Sequence, residues 1–373
     1  MDPKPIGSLD VAELRNAAPL CRYLSGMVDP LYQRVLSTLR PPPTDACVVV
    51  SCYLFADREP LMTALDETLG IRLVVPRRRL PSDDPAFEQR YVFSSATTDE
   101  ELADEIASVT ATNPFVVLDS YLNLNRRVGS RLKELGSRYL GTVEDVPLLE
   151  PDDRTVSIFG SLLSDISRPS LADSIVYSID RLMRPNNWVL RGRIVLVVGF
   201  GRVGEDVARA LRQRECRVLV CEIDPVRKLV AVQAGFELVE LTRGLPDSSV
   251  VVLATGKPVF GAAEASLLAG DAIVASVSSN DIRSAELFDD QADGDELVTV
   301  GLPGRQAHIL NRGEVVNFRE DAVVGPSFEL LQAELFVSVL ALATGLPLDD
   351  DSRDFRSRII ADAWLRTYGN VQD

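Results

Sequence analysis

Along most of the chain, short apolar runs of strand length alternate with amphipathic stretches of helix length. Residues 9–40 carry apolar positions at helical spacing, in LDVAELRNAAPLCRYL and again in PLYQRVLSTLR, until the prolines at 41–43 stop the pattern. ACVVVSCYLF (46–55) suits a buried strand, PLMTALDETLG (60–70) a helix ended by Gly70, and IRLVV (71–75) a second strand. Residues 76–90 are charged and contain proline, as an exposed loop does. DEELADEIASV (99–109) predicts a helix with acidic residues at its positive end, and PFVVLD (114–119) a strand ending in a carboxylate. Residues 125–138 read as helix and YLGTVED (139–145) as a short strand and loop. SLADSIVYSIDRLM (170–183) predicts an amphipathic helix capped by Ser170, and RPNNWVLRG (184–192) a linker.

A second alternating unit follows the linker. Its strands are RIVLVV (193–198), RVLVCEID (217–224), the valine run ending in Thr255 and Gly256, and DAIVASVSS (271–279). PSFELLQAELFVSVLALATG (326–345) then predicts a long apolar helix closed by Gly345, and DSRDFRSRIIADAWLRTYG (351–369) a last amphipathic one. Strands alternating with helices imply parallel sheets covered on both faces, so the chain reads as α/β with two doubly wound domains.

Composition narrows the chemistry. A net charge of −16 disfavours nucleic acid and anionic membranes as partners. No apolar run approaches membrane-spanning length and the N-terminus lacks a secretory pattern, so a cytoplasmic location is expected. The five cysteines form no CxxC pair, and with His308 the lone histidine no metal site is expected. The apolar excess of 326–345 suggests a homo-oligomer, unless that helix is buried within its own chain.

The sharpest motif is RIVLVVGFGRVGEDVARAL. Gly199, Gly201 and Gly204 form G-x-G-x-x-G directly after a strand and at the start of a helix. The first glycine makes the tight turn, the second admits a pyrophosphate to the backbone, and the third lets helix and strand pack closely. Glu222 lies 23 residues after Gly199, at the end of the next strand, where an acid accepts hydrogen bonds from an adenosine ribose. A carboxylate there repels a 2′-phosphate, so the expected cofactor is NAD rather than NADP, with Arg227 and Lys228 weakening the preference. Arg202 and Val203 in the turn, and the strand ends carrying Thr255, Gly256 and Ser278, complete the expected cofactor contacts.

The order of these segments resembles S-adenosylhomocysteine hydrolases. The glycine run is followed by VLVCEIDPVRKLVAVQAGFELVEL, VVLATG and DAIVASVSSNDIRSAEL; SLADSIVYSI resembles the family's hinge helix, and GEVVNF (313–318) and GPSFELLQAEL (325–335) its closing strand and return helix. The resemblance implies a Rossmann NAD-binding domain (185–324) inserted into a split α/β substrate domain (1–184 and 325–373), with Asn317 near the nicotinamide carboxamide. It implies chemistry in which a ribose hydroxyl is oxidised, the 5′ thiol eliminated, water added and the ketone reduced again. The acid–base groups of that sequence are largely replaced. The first-strand histidine falls near Tyr53; the first paired acid corresponds to Asp119 and the second to Ser120; the downstream acids match Glu144 and Asp145. The lysine–aspartate–asparagine stretch falls in SIFGSLL (157–163), and further histidine positions fall at Ser279 and Gly325.

Lys257, Asp119, Glu144 and Asp145 are the candidate acid–base groups, Glu144 and Asp145 as a pair whose pKa values split. Asn280 and Asp281 are candidates to contact nicotinamide or substrate. The expected function is NAD-dependent oxidation of a hydroxyl on a small polar, nucleoside-like molecule, by dehydrogenation or oxidation-assisted elimination. The alternative is a catalytically inactive NAD-binding regulatory protein.

Overall fold

The computed structural model describes residues 30–76, 89–120, 124–145, 154–278, 281–287, 296–320 and 324–369. Residues 9–29 of the 9–40 helical pattern, most of the 76–90 loop, Ser279 and Asn280 lie outside them.

The first unit contains α1 (Pro30–Leu39), β1 (Cys47–Cys52), α2 (Glu59–Leu69), β2 (Ile71–Pro76), α3 (Asp99–Val109), β3 (Phe115–Asp119), α4 (Leu124–Glu134), β4 (Tyr139–Glu144) and β5 (Thr155–Ser157). Its five strands run in the order β2-β1-β3-β4-β5, every pair parallel. Local chemistry sets the boundaries. Thr98 and Glu101 form a reciprocal capping box at the start of α3, and Gly70 ends α2 at φ +81°.

A 22-residue helix, α5 (Leu162–Met183), leads to the second unit. It starts eight residues before the predicted Ser170, with Ser161 as its cap, and it runs through Pro169. A proline ring removes one helical hydrogen bond, and here the flanking turns carry the helix past that loss.

The second unit contains β6 (Ile194–Val198), α6 (Arg202–Gln213), β7 (Arg217–Cys221), α7 (Pro225–Gln233), β8 (Glu237–Leu238), α8 (Leu241–Asp247), β9 (Val250–Leu253), α9 (Ala262–Ala265), β10 (Ala272–Ser276), β11 (Leu297–Leu302) and β12 (Arg305–Leu310). The sheet order is β11-β12-β10-β9-β6-β7-β8, parallel except for the β11–β12 hairpin. The order reverses between β9 and β6, which places a crevice at their C-terminal ends. Where GEVVNF suggested a closing strand, the chain instead makes two short 3-10 turns, joined to β10 by one bridge from Ser276 to Val315.

The chain ends in α10 (Phe328–Thr344) and α11 (Asp350–Tyr368). Both return to the first unit, where Phe336, Leu340 and Ile360 join Val48, Val50 and Val116 in one apolar core. Fourteen of the 17 residues of α10 are buried in this chain. That burial accounts for its apolarity, so the helix supplies no argument for a homo-oligomer. Among the described residues no helix is long and apolar enough to cross a membrane.

Candidate functional site

The glycine turn follows from packing. Gly199 has φ +94°, a conformation costly for other residues, and a Cβ there would lie 2.7 Å from the Ala254 carbonyl. A Cβ on Gly204 would overlap the Gly199 carbonyl oxygen, so α6 rests directly on the turn. Gly201 differs: a Cβ there meets nothing within 4 Å. It is the N-cap of α6, with no side-chain cap, so the first-turn amides and the positive helix end face that open space. The open position and uncapped amides are what a pyrophosphate needs.

Glu222, one residue beyond β7, accepts hydrogen bonds from the amides of Phe200 (2.6 Å), Ile223 (2.6 Å) and Asp224 (2.9 Å). Its carboxylate is thereby locked beside the turn, with about one further acceptor site left for a ribose hydroxyl. Ile223 is 85% exposed next to it, an apolar side chain where an adenine face can lie. Ile223 carries no signal in the sequence, because a strand-end isoleucine reads as core. A cavity of about 650 Å³ opens from Glu222 along β7, β8 and α8, past Lys228 and Arg243.

Arg202 is held by Asp165 of α5 in a two-pronged ion pair (2.6 and 3.2 Å), with its guanidinium over the Phe159 ring at 5.0 Å. Val203 packs against the core beneath α6. Thr255, Gly256 and Ser278 gather at the ends of β9 and β10 around the Asp281 carboxylate, which takes hydrogen bonds from all three. Asp281 therefore acts within the protein rather than on a ligand. Asn317 is buried, and its Oδ1 has no hydrogen-bond partner among the described residues. An orphaned buried acceptor asks for a donor such as a carboxamide N–H. These residues fit NAD: the turn for the pyrophosphate, Glu222 for the ribose and Asn317 for the nicotinamide.

The acids lie at the C-terminal edge of the first sheet. Ser51, Asp119, Glu144 and Ser157 stand in register across β1, β3, β4 and β5. Side chains alternate along a strand, so this row occupies one face, and Ser120 and Asp145 turn to the other. That separates Glu144 from Asp145 and removes the expected dyad. Asp119 caps the amide of Leu124 at the start of α4. Asp145 is 9% exposed; Oδ2 accepts from the Ser120 hydroxyl at 2.8 Å, while Oδ1 has no hydrogen-bond partner among the described residues. Burial pushes its carboxyl up to about 6, against the Ser120 hydrogen bond and the nearby Arg58, which lower it. The Arg58 guanidinium lies over the Phe328 ring at 4.6 Å. Arg58 carried no sequence signal, because its role depends on where the turn after β1 places it.

Lys257 is exposed and makes no ion pair among the described residues; only its backbone joins the loop, through Thr255. His308 is buried in β12, bonded to Thr299 and packed against Trp188, and Cys221 is buried in β7. The two sheet edges meet through Tyr53 and Phe55, which follow β1, and Phe318, which follows Asn317; the ring centroids are 4.7 to 5.4 Å apart.

Residues 170–324 match the model of the S-adenosyl-L-homocysteine hydrolase NAD-binding domain. The chain is 23% identical over 264 residues to an S-inosyl-L-homocysteine hydrolase of Methanopyrus kandleri, covering 66% of this chain and 62% of that protein. It is 27% identical over 169 residues to an adenosylhomocysteinase of Thermoplasma acidophilum, covering 43% and 41%. The chain thus spans less than two thirds of either relative. A solved pyruvate reductase of Chlamydomonas reinhardtii aligns over 81% of this chain and 99% of its own, at 15% identity and a TM-score of 0.46. The cofactor domain, residues 170–324, is similar to the NAD-binding domain of S-adenosyl-L-homocysteine hydrolases, and its cofactor is NAD.

Proposed function

We propose that this protein is an NAD-dependent enzyme that oxidises a hydroxyl of a small polar, nucleoside-like substrate, by plain dehydrogenation or as the first step of an elimination. The observation that carries the reading is Asp145. A buried carboxyl with one oxygen unpaired among the described residues and a pKa near 6 is suited to take a proton near neutral pH. It stands at the edge of the first sheet, and Tyr53, Phe55 and Phe318 join that edge to the cofactor domain at Asn317.

NAD, when bound, supplies the hydride acceptor. The chain's own residues supply the rest. The turn at 199–204 and Glu222 hold the adenosine half, and Asn317 Oδ1 orients the nicotinamide. Asp145 Oδ1 takes the hydroxyl proton as the C–H bond breaks, so the carbon is oxidised and the proton stays on the carboxyl. Ser120 holds Asp145 Oδ2 and keeps Oδ1 directed to its task. The aromatic contact excludes water from the crevice.

A panel of nucleosides and small polyols, followed by the appearance of NADH, tests the reading. Turnover with a member of the panel, and its loss by about 100-fold or more in Asp145→Asn with NAD affinity retained, is the expected result. Bound NAD that stays oxidised with every alcohol favours the alternative of an NAD-binding regulatory protein. The replacement of the histidines that the family resemblance implies, as at Tyr53 and Gly325, speaks for that second reading.

A further inference from the structure

Asp281 is wholly shielded from solvent (0% exposed), yet it gathers a dense set of donors. Its Oδ1 accepts from the amides of Thr255 (3.0 Å) and Gly256 (2.7 Å) and from the Thr255 hydroxyl (2.7 Å). Its Oδ2 accepts from the hydroxyl of Ser278 (2.5 Å) and shares that of Ser276 (3.1 Å) with the Ser278 carbonyl (2.7 Å). Its own carbonyl accepts from the amides of Val259 and Phe260. One side chain therefore joins the loop after β9 to the loop after β10. The first loop begins at Ala254, against which Gly199 is packed.

We propose that Asp281 is a positioning residue for the nicotinamide half of the cofactor, an inference that rests on the NAD-binding reading of this crevice. An ionised carboxylate only accepts hydrogen bonds. The hydroxyl protons of Thr255 and Ser278 are therefore drawn inward, and the Gly256 amide is shared between Asp281 and the Ser278 oxygen. Thr255 Oγ1 also accepts from the Lys257 amide and lies 3.0 Å from the Lys257 carbonyl, so Thr255 and Ser278 each keep about one oxygen lone pair for anything outside. The nicotinamide riboside half of NAD carries donors, two ribose hydroxyls and a carboxamide N–H group, and this edge meets them with acceptors. The adenosine half is served elsewhere, by the 199–204 turn and Glu222, and does not depend on Asp281.

Asp281→Asn preserves shape but replaces one acceptor oxygen by a donor. It must then face either two amides and a hydroxyl or two serine hydroxyls with an N–H group, so the loops shift or their hydroxyls reverse. Calorimetry with NAD and with AMP separates the two halves of the site, because AMP reaches only the turn and Glu222. In Asp281→Asn, NAD affinity falls by about tenfold or more while AMP affinity stays within about twofold. Ser278→Ala, which removes one arm and leaves the carboxylate, gives a smaller loss in the same sense and carries the test should the first variant not fold. Equal losses for both ligands would reveal a general structural role and overturn the proposal, as would unchanged NAD binding in the folded variants. A wild-type protein that binds AMP and not NAD overturns the cofactor reading itself, and this inference with it.

Discussion

Among single residues, the decisive contrast is between carboxylates that hold the backbone and one that is left open. Asp119 is spent on an amide and Asp281 on amides and hydroxyls, and Glu222 holds three amides, whereas Asp145 has one oxygen with no partner among the described residues. With a pKa near 6, Asp145 is a base only once it has lost its proton. The turnover rate therefore rises with pH through about 6 and levels off above it. Ser120→Ala removes a hydrogen bond that lowers this pKa, so the rising limb moves to higher pH while the plateau shape persists. Initial rates across pH check both statements. The glycine turn was legible in the sequence because Gly199 and Gly204 answer local demands, a positive φ and a close backbone approach, and Gly201 leaves the space a pyrophosphate needs. The roles of Asp281, Ile223 and Arg58 were not legible, since they depend on which strand ends lie side by side.

Among the helices and strands, α5 shows where sequence signals mislead. Ser170 reads as the cap, yet the helix begins at Leu162 because Ser161 caps it and α10 and α6 pack along it. Strand β5, three residues long, has too little pattern to be read from sequence. The Ser161 hydroxyl also donates to Glu334 on α10 at 2.5 Å. Burial holds Glu334 up at about 7, with the Ser161 hydrogen bond, Arg353 and Arg356 pulling the other way. An acid whose folded pKa is raised costs stability as pH climbs from the unfolded value through the folded one. Glu334→Gln keeps the acceptor and removes the charge. Above pH 7 this variant gains on the wild type by roughly 3 kcal/mol at most, and the gap closes below about pH 4.5. Thermal melts across that range measure it.

Across both units, the segment after β1 meets the 3-10 turn that carries Phe318 through three aromatic rings. The alternating strand–helix pattern made the two α/β units visible, but not this contact, because Tyr53 and Phe318 stand far apart in the chain. Phe318→Ala removes the ring that the cofactor domain contributes. The expected loss is about 1–3 kcal/mol of stability, with a larger radius of gyration by small-angle scattering as the units separate. An unchanged radius would mean that α5 and α6, with the Asp165–Arg202 pair, hold the units without help from the rings. A homo-oligomer remains a proposal that sedimentation can test.

What joins these levels is the proposed seat for a dinucleotide pyrophosphate against the backbone at Gly201, and one substitution isolates that contact. A methyl group there meets no protein atom within 4 Å, and its φ of −67° suits any residue, so Gly201→Ala folds and melts like the wild type. Calorimetric titration of the two proteins with NAD then decides the matter. Wild-type binding that weakens about tenfold or more in Gly201→Ala is expected of a pyrophosphate seated on this turn. Equal affinity in the two proteins, or none in the wild type, would show that no pyrophosphate sits there.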